Sequence, residues 1–101
     1  MKKITPKELK NLLDKNSPLQ LIDVRNPNEY SNGHIKNSIN IPLPTLEMEI
    51  ENGDISKEAP VIVYCHSGAR ASSAAAILQQ LGFKDIYNLG GIISWPYDLE
   101  R

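Results

Sequence analysis

Val61-Ile62-Val63-Tyr64-Cys65-His66-Ser67-Gly68-Ala69-Arg70 is an apolar, β-prone run that breaks into a short polar loop. Pro60 opens the run, so a strand is expected over Val61 to Tyr64. The Ala-rich segment from Ala71 to Leu81, closed by Gly82, then reads as a helix. Strand, loop and helix in that order make half of a parallel α/β unit. In an open sheet of this kind ligands sit beyond the carboxyl ends of the strands, and Cys65 falls at such an end.

The flanking sequence extends the same pattern. Thr5-Pro6-Lys7-Glu8 offers an N-cap, a proline at the first helical position and a glutamate able to close a capping box, with Leu9, Leu12 and Leu13 on one apolar face after it. Asn16-Ser17-Pro18 breaks this helix before Leu19 to Val24, a β-prone run with few charges that reads as a strand covered on both faces. Asn26 to Tyr30 suggests a single helical turn stopped by Asn32-Gly33, and Ser38 to Ile41 a very short strand ended by Pro42. Thr45 to Ile50 reads as a short amphipathic helix ending near Asn52-Gly53. Asp85 to Leu89 supplies one more strand before Gly90-Gly91, and Ile92 to Trp95 a last turn stopped by Pro96. Short strands alternating with helices predict an α/β fold with a mostly parallel sheet and helices on both faces. With no repeat, low-complexity tract or Gly/Ser-rich linker, residues 1–101 read as one domain.

Composition narrows the function. Eleven Lys and Arg against twelve Asp and Glu leave a net charge of −1 without a basic run, which argues against a nucleic-acid or membrane surface. After Met1-Lys2-Lys3 no apolar stretch has the length of a signal-peptide core. The apolar runs are also far short of the roughly 20 residues that span a bilayer, so a cytoplasmic protein is expected. One cysteine cannot form an internal disulfide, a multi-cysteine zinc site or an iron–sulfur cluster within one chain. Any role for Cys65 uses a single sulfur.

A loop leading into a helix N-terminus can turn several backbone N–H groups toward one sulfur, with Gly68 allowing an unusual φ. Those dipoles favour negative charge on sulfur and give a nucleophile without a dedicated general base. Arg70, closing the loop, has the side chain to bind an oxyanion in two-pronged fashion. The commoner fate of a free cysteine is to be a small buried hydrophobe. The polar sequence His66-Ser67-Gly68-Ala69-Arg70 favours the reactive role here.

At these residues the chain resembles the rhodanese-like domains, specifically the short single-domain sulfurtransferases. Leu21-Ile22-Asp23-Val24-Arg25 is similar to that family's first-strand signature, and Glu29-Tyr30-Ser31-Asn32-Gly33-His34-Ile35 to the segment that follows it. Asn40-Ile41-Pro42, Val63-Tyr64-Cys65 with Gly68 and Arg70, and Leu89-Gly90-Gly91 with Trp95 continue the likeness in family order. The resemblance implies a doubly wound α/β fold. It also implies a cysteine that takes a sulfane sulfur from a donor, carries it as a persulfide and passes it to a thiophilic acceptor. Cys65 is then the catalytic residue and His66, Ser67, Gly68, Ala69 and Arg70 bind the donor. The implied partners are a small anionic donor such as thiosulfate, a thiol or cyanide acceptor, and a persulfide-carrying or thioredoxin-like protein, with no metal or organic cofactor.

Two other classes share these residues. Cysteine-based phosphatases and arsenate reductases also place a Cys…Arg loop at a helix N-terminus, but close it with one residue more than His66, Ser67, Gly68 and Ala69. A phosphate ester needs its oxygens encircled, whereas one extra sulfur fits a tighter ring, so the spacing favours sulfur transfer. The other rival is a non-catalytic binding or redox-sensing module, which would use Cys65 in a mixed disulfide with another molecule.

The remaining polar residues read as scaffold. His34 is expected to have its ring satisfied by nearby backbone. Within the resemblance, Arg25 is the ion-pair partner of Glu29, and Asp23 belongs with them. For Ser67 the backbone N–H is a better donor to the sulfur than the hydroxyl, and Trp95 is expected to pack on the sheet.

Overall fold

A computed structural model describes all of residues 1–101. Its elements are β1 (Lys2–Lys3), α1 (Pro6–Asp14), β2 (Gln20–Asp23), α2 (Pro27–Ser31), β3 (Ile39–Asn40), α3 (Leu46–Asn52), β4 (Val61–Cys65), α4 (Ala69–Gln80) and β5 (Ile86–Gly91). Short 3₁₀ turns at Leu43–Thr45 and Ile92–Ser94 follow β3 and β5. The strands form one sheet in the order β1-β5-β4-β2-β3, and every neighbouring pair is parallel. The α/β architecture is therefore as expected, with the chain winding outward from β2 to β3 and then back through β4 to β5. That reversal puts the switch point of the sheet beside the C-terminal end of β4.

The side-chain period of the strands explains the two-layered covering. Val61, Val63 and Cys65 project to one face of β4, where they pack with Leu46 and Ile50 of α3 and Ala71, Ala74, Ala75 and Leu78 of α4. Ile62 and Tyr64 project to the other face, against Leu9 and Leu13 of α1, Ile35 and Trp95. All five residues of β4 are buried, which is why the run contains no polar alternation. Each large aliphatic side chain so buried contributes about 1.5–3 kcal/mol before the entropy of ordering is subtracted. The small residues of α4 let its axis lie close to the sheet.

Local chemistry sets the helix ends. Thr5 Oγ1 accepts from the Glu8 N–H at 3.1 Å and Glu8 Oε1 accepts from the Thr5 N–H at 2.9 Å, the reciprocal pair read from the sequence. Asn26 and Glu29 repeat the device at the start of α2, where Glu29 Oε1 accepts from the Asn26 N–H at 3.0 Å.

Most element ends fall within a residue of expectation, and three departures are larger. Lys2–Lys3 forms an edge strand beside Tyr87 and Asn88, a tertiary pairing that two exposed lysines do not announce. β5 continues through Gly90 and Gly91, and a register shift near Leu89 brings Cys65 opposite Gly91. α4 begins at Ala69, two residues earlier than read, so Arg70 lies in its first turn and not in the loop.

Candidate active site

Cys65 ends β4 with 1% of its surface exposed, and its sulfur faces the start of α4. The chain leaves the strand through His66 and Ser67, both exposed, and reaches Gly68 at φ +116°, a left-handed conformation that side chains rarely adopt. That turn points the Gly68 N–H back at Cys65 Sγ, 3.0 Å away. The Ala71 N–H, in the first turn of α4, reaches the same sulfur at 3.3 Å. Two backbone donors and the positive end of a 12-residue helix thus converge on one atom. Such a cradle stabilises negative charge on sulfur without any acid or base.

The loop is held from the β5 side. A side chain at Gly91 would run into the His66 carbonyl oxygen and lie 2.7 Å from Ser67 Cα, so only glycine lets the loop lie across the end of β5. The His66 carbonyl in turn accepts the Ile93 N–H at 3.3 Å. An open groove of about 650 Å³ runs beside the loop, lined by Gly68, Ala69, Gly90, Ser94 and the Lys3–Pro6 segment.

Arg70 and Glu29 meet 41 positions apart in the chain. Arg70 donates from both terminal nitrogens to the two Glu29 oxygens, at 2.7 and 3.0 Å. Those bonds hold the Glu29 carboxyl down at about 2, against the cost of burial and with help from the Asn26 N–H. The same pair raises Arg70 further into its charged range. The expected Arg25–Glu29 pair is therefore corrected. Arg25 instead binds Asp23, Nε to Oδ1 at 3.0 Å and a terminal nitrogen to Oδ2 at 2.7 Å, and also donates to the Gly33 carbonyl at 2.7 Å. Residues two apart at a strand end share a side, so Asp23 is the nearer partner, and both members of this pair are buried.

The His34 ring nitrogen Nδ1 lies 2.9 Å from the Tyr30 carbonyl and the ring stacks on Tyr30, as a scaffold residue should. Tyr64 carries its hydroxyl into the core, where it accepts the Ile35 N–H at 3.1 Å and pairs with Ser38 Oγ at 3.0 Å. Ser67 makes no bond to the sulfur; the second donor is Ala71, which sequence reading passed over because its contribution is a backbone N–H inside a helix. Glu29 and Gly91 were also passed over as site residues. The capping pattern of Glu29 and the Gly90-Gly91 pair were visible, but their contacts with Arg70 and the loop are tertiary. No three His, Cys, Asp or Glu side chains converge as a metal site, and no helix is long and apolar enough to cross a membrane.

Comparison with known proteins places the fold and the sequence among relatives. A Bacillus subtilis protein, YqhL, is 44% identical over 77 residues, which cover 75% of this chain and 60% of that protein. The chain thus spans about three-fifths of the length of that relative. The thiosulfate sulfurtransferase GlpE of Coxiella burnetii is 37% identical over 84 residues, covering 82% of this chain and 77% of that one. The crystal structure of a rhodanese-like domain protein from Staphylococcus aureus superposes with a TM-score of 0.86 at 34% identity, over 99% of this chain and 97% of that one. The rhodanese-like domain pattern itself matches residues 5–96, nearly the whole chain, and the chain belongs to the rhodanese-like domain family.

Proposed function

We propose that this chain is a sulfurtransferase in which Cys65 carries the transferred sulfur. The observation that carries the proposal is the pair of N–H groups, Gly68 at the end of the loop and Ala71 in the first turn of α4, aimed at the single Cys65 sulfur, with four residues separating Cys65 from Arg70. The Cys65 thiolate attacks the outer sulfur of thiosulfate; a sulfur–sulfur bond forms at Cys65, the bond to the sulfonate sulfur breaks, and sulfite leaves with the electron pair. A thiol or cyanide acceptor then attacks the terminal sulfur of the persulfide, and the Cys65 thiolate is restored as leaving group. A thiol persulfide, free or carried by another protein, delivers the same atom and leaves as a thiolate. No oxidant is consumed, since the sulfur moves at constant oxidation state. The cradle that favours the thiolate also favours the persulfide anion. Membership of a family that includes sulfurtransferases supports this reading.

The test is sulfite release from thiosulfate in the presence of cyanide, run beside hydrolysis of an aryl phosphate. Sulfite release that vanishes in Cys65→Ser while the variant melts like the parent supports sulfur transfer. Turnover that persists in the serine variant, or phosphate hydrolysis without sulfite release, overturns it.

A further inference from the structure

Along α2, the loop and the first turn of α4, the formally charged side chains are Glu29 and Arg70. They form a bidentate pair, and the nearby Arg25 is bound by Asp23. The arginine that would give the loop a free positive charge therefore gives it none. What remains at the sulfur to attract an anion is the backbone cradle and the N-terminus of α4, worth about half a charge, with Lys3 farther out on the wall of the adjoining groove. Glu29 is fixed independently of Arg70, because the Asn26 N–H holds Oε1 in the helix cap at 3.0 Å.

We propose that Glu29 sets the donor preference of the Cys65 site, neutralising Arg70 so that monoanionic sulfane donors, such as thiol persulfides and thiosulfonates, are favoured over dianionic thiosulfate. This rests on the sulfur-transfer reading above and names the donor class within it. The chemistry of transfer is unchanged: from a thiosulfonate the Cys65 thiolate takes the terminal sulfur, and the sulfinate leaves with the electron pair. Glu29 acts through Arg70 and is a positioning residue.

Glu29→Gln removes the charge and keeps an oxygen for the cap. The measurement is kcat/KM at one fixed pH and low salt, with a common thiol acceptor and two donors, thiosulfate and benzenethiosulfonate. Coulomb attraction scales with donor charge, so a gain of about threefold for the monoanion implies about tenfold for the dianion. Salt removes both gains, since the site is open. Arg70→Gln shifts both donors the opposite way with the same charge dependence, and the double variant returns the donor ratio to within about twofold of wild type. Equal gains for the two donors, no gain, or a larger loss with thiosulfate in Glu29→Gln overturns the proposal. Alkylation of Cys65 keeps the two readings apart, because it requires no sulfur transfer. Glu29→Gln is expected to raise the ratio of iodoacetate to iodoacetamide rates about threefold, and an unchanged ratio contradicts the charge argument even if transfer proceeds. Failure of the wild-type protein to take sulfur from either donor, with the alkylation ratio shifted, would instead overturn the sulfur-transfer reading alone.

Discussion

Gly91→Ala isolates the packing that shapes the cysteine loop. Gly91 has φ −112° and ψ 141°, an ordinary extended conformation for alanine, so the substitution adds no backbone strain of its own. The added methyl would instead collide with the His66 carbonyl oxygen and lie 2.7 Å from Ser67 Cα and 2.9 Å from Ser67 C. Carbon atoms in contact want about 3.5–4.0 Å, so loop and strand must separate by close to an ångström. β5 is locked to β4 by the ladder that pairs Cys65 with Gly91, and the loop is the part that yields. Overpacking of this kind costs about 1–3 kcal/mol. A shift of about 1 Å in the cradle donors, now 3.0 and 3.3 Å from sulfur, should cost about 100-fold in the rate of sulfur transfer. Gly90→Ala is the control: φ is +92° and nothing lies within 4 Å, so the cost is conformational strain of about 1–2 kcal/mol without a collision at the loop. Urea unfolding gives the two stability changes, and single-turnover sulfur uptake gives the two rates. Comparable stability losses with a large rate loss only in Gly91→Ala support the account. Wild-type uptake by a folded Gly91→Ala protein refutes it.

Other perturbations test the scaffold. Tyr64→Phe leaves the buried Ile35 N–H without its acceptor and Ser38 without its partner, and should lower the unfolding free energy by about 1–3 kcal/mol while uptake of sulfur per folded molecule is unchanged. Asp23→Ala strands the buried Arg25 guanidinium, for an expected loss of about 3–5 kcal/mol in chemical denaturation that high salt does not reproduce. The Glu29 carboxyl is held at about 2, below its ordinary value of 4.5, so the stability it contributes is fully present above pH 4.5 and is lost as pH falls toward 2. Both members of that pair are about one-third exposed, so solvent screening reduces the contribution to about 1 kcal/mol; acid titration of stability should show this component in the parent and not in Glu29→Gln.

How much of this was legible depended on how local the cause was. The start of α1 could be read from Thr5-Pro6-Lys7-Glu8 because both capping bonds form within four residues. The strand at Val61 and the cysteine at its end could be read because an all-apolar run entering a polar, glycine-containing loop has few other meanings. Lys2–Lys3 could not, since its strand conformation comes from pairing with β5 more than eighty residues away. The Arg70–Glu29 pair was hidden for the same reason, and Arg25 was assigned to Glu29 when Asp23, two residues off and on the same side, was the closer carboxylate. Reading α4 from Ala71 treated Ala69 and Arg70 as loop, which concealed the Ala71 N–H as a donor to sulfur. Gly91 announced a special conformation, but its requirement is spatial: it stands opposite Cys65 and leaves room for the loop.

The central claim is that the sulfur of Cys65 accepts and holds one further sulfur atom. Reduced protein treated with thiosulfate or benzenethiosulfonate and then freed of donor is examined by intact mass and by peptide mapping. The account predicts a gain of one sulfur atom, located on the peptide containing Cys65, absent in Cys65→Ser and removed by cyanide. An unchanged mass with both donors, or a gain that survives the serine substitution, would contradict it.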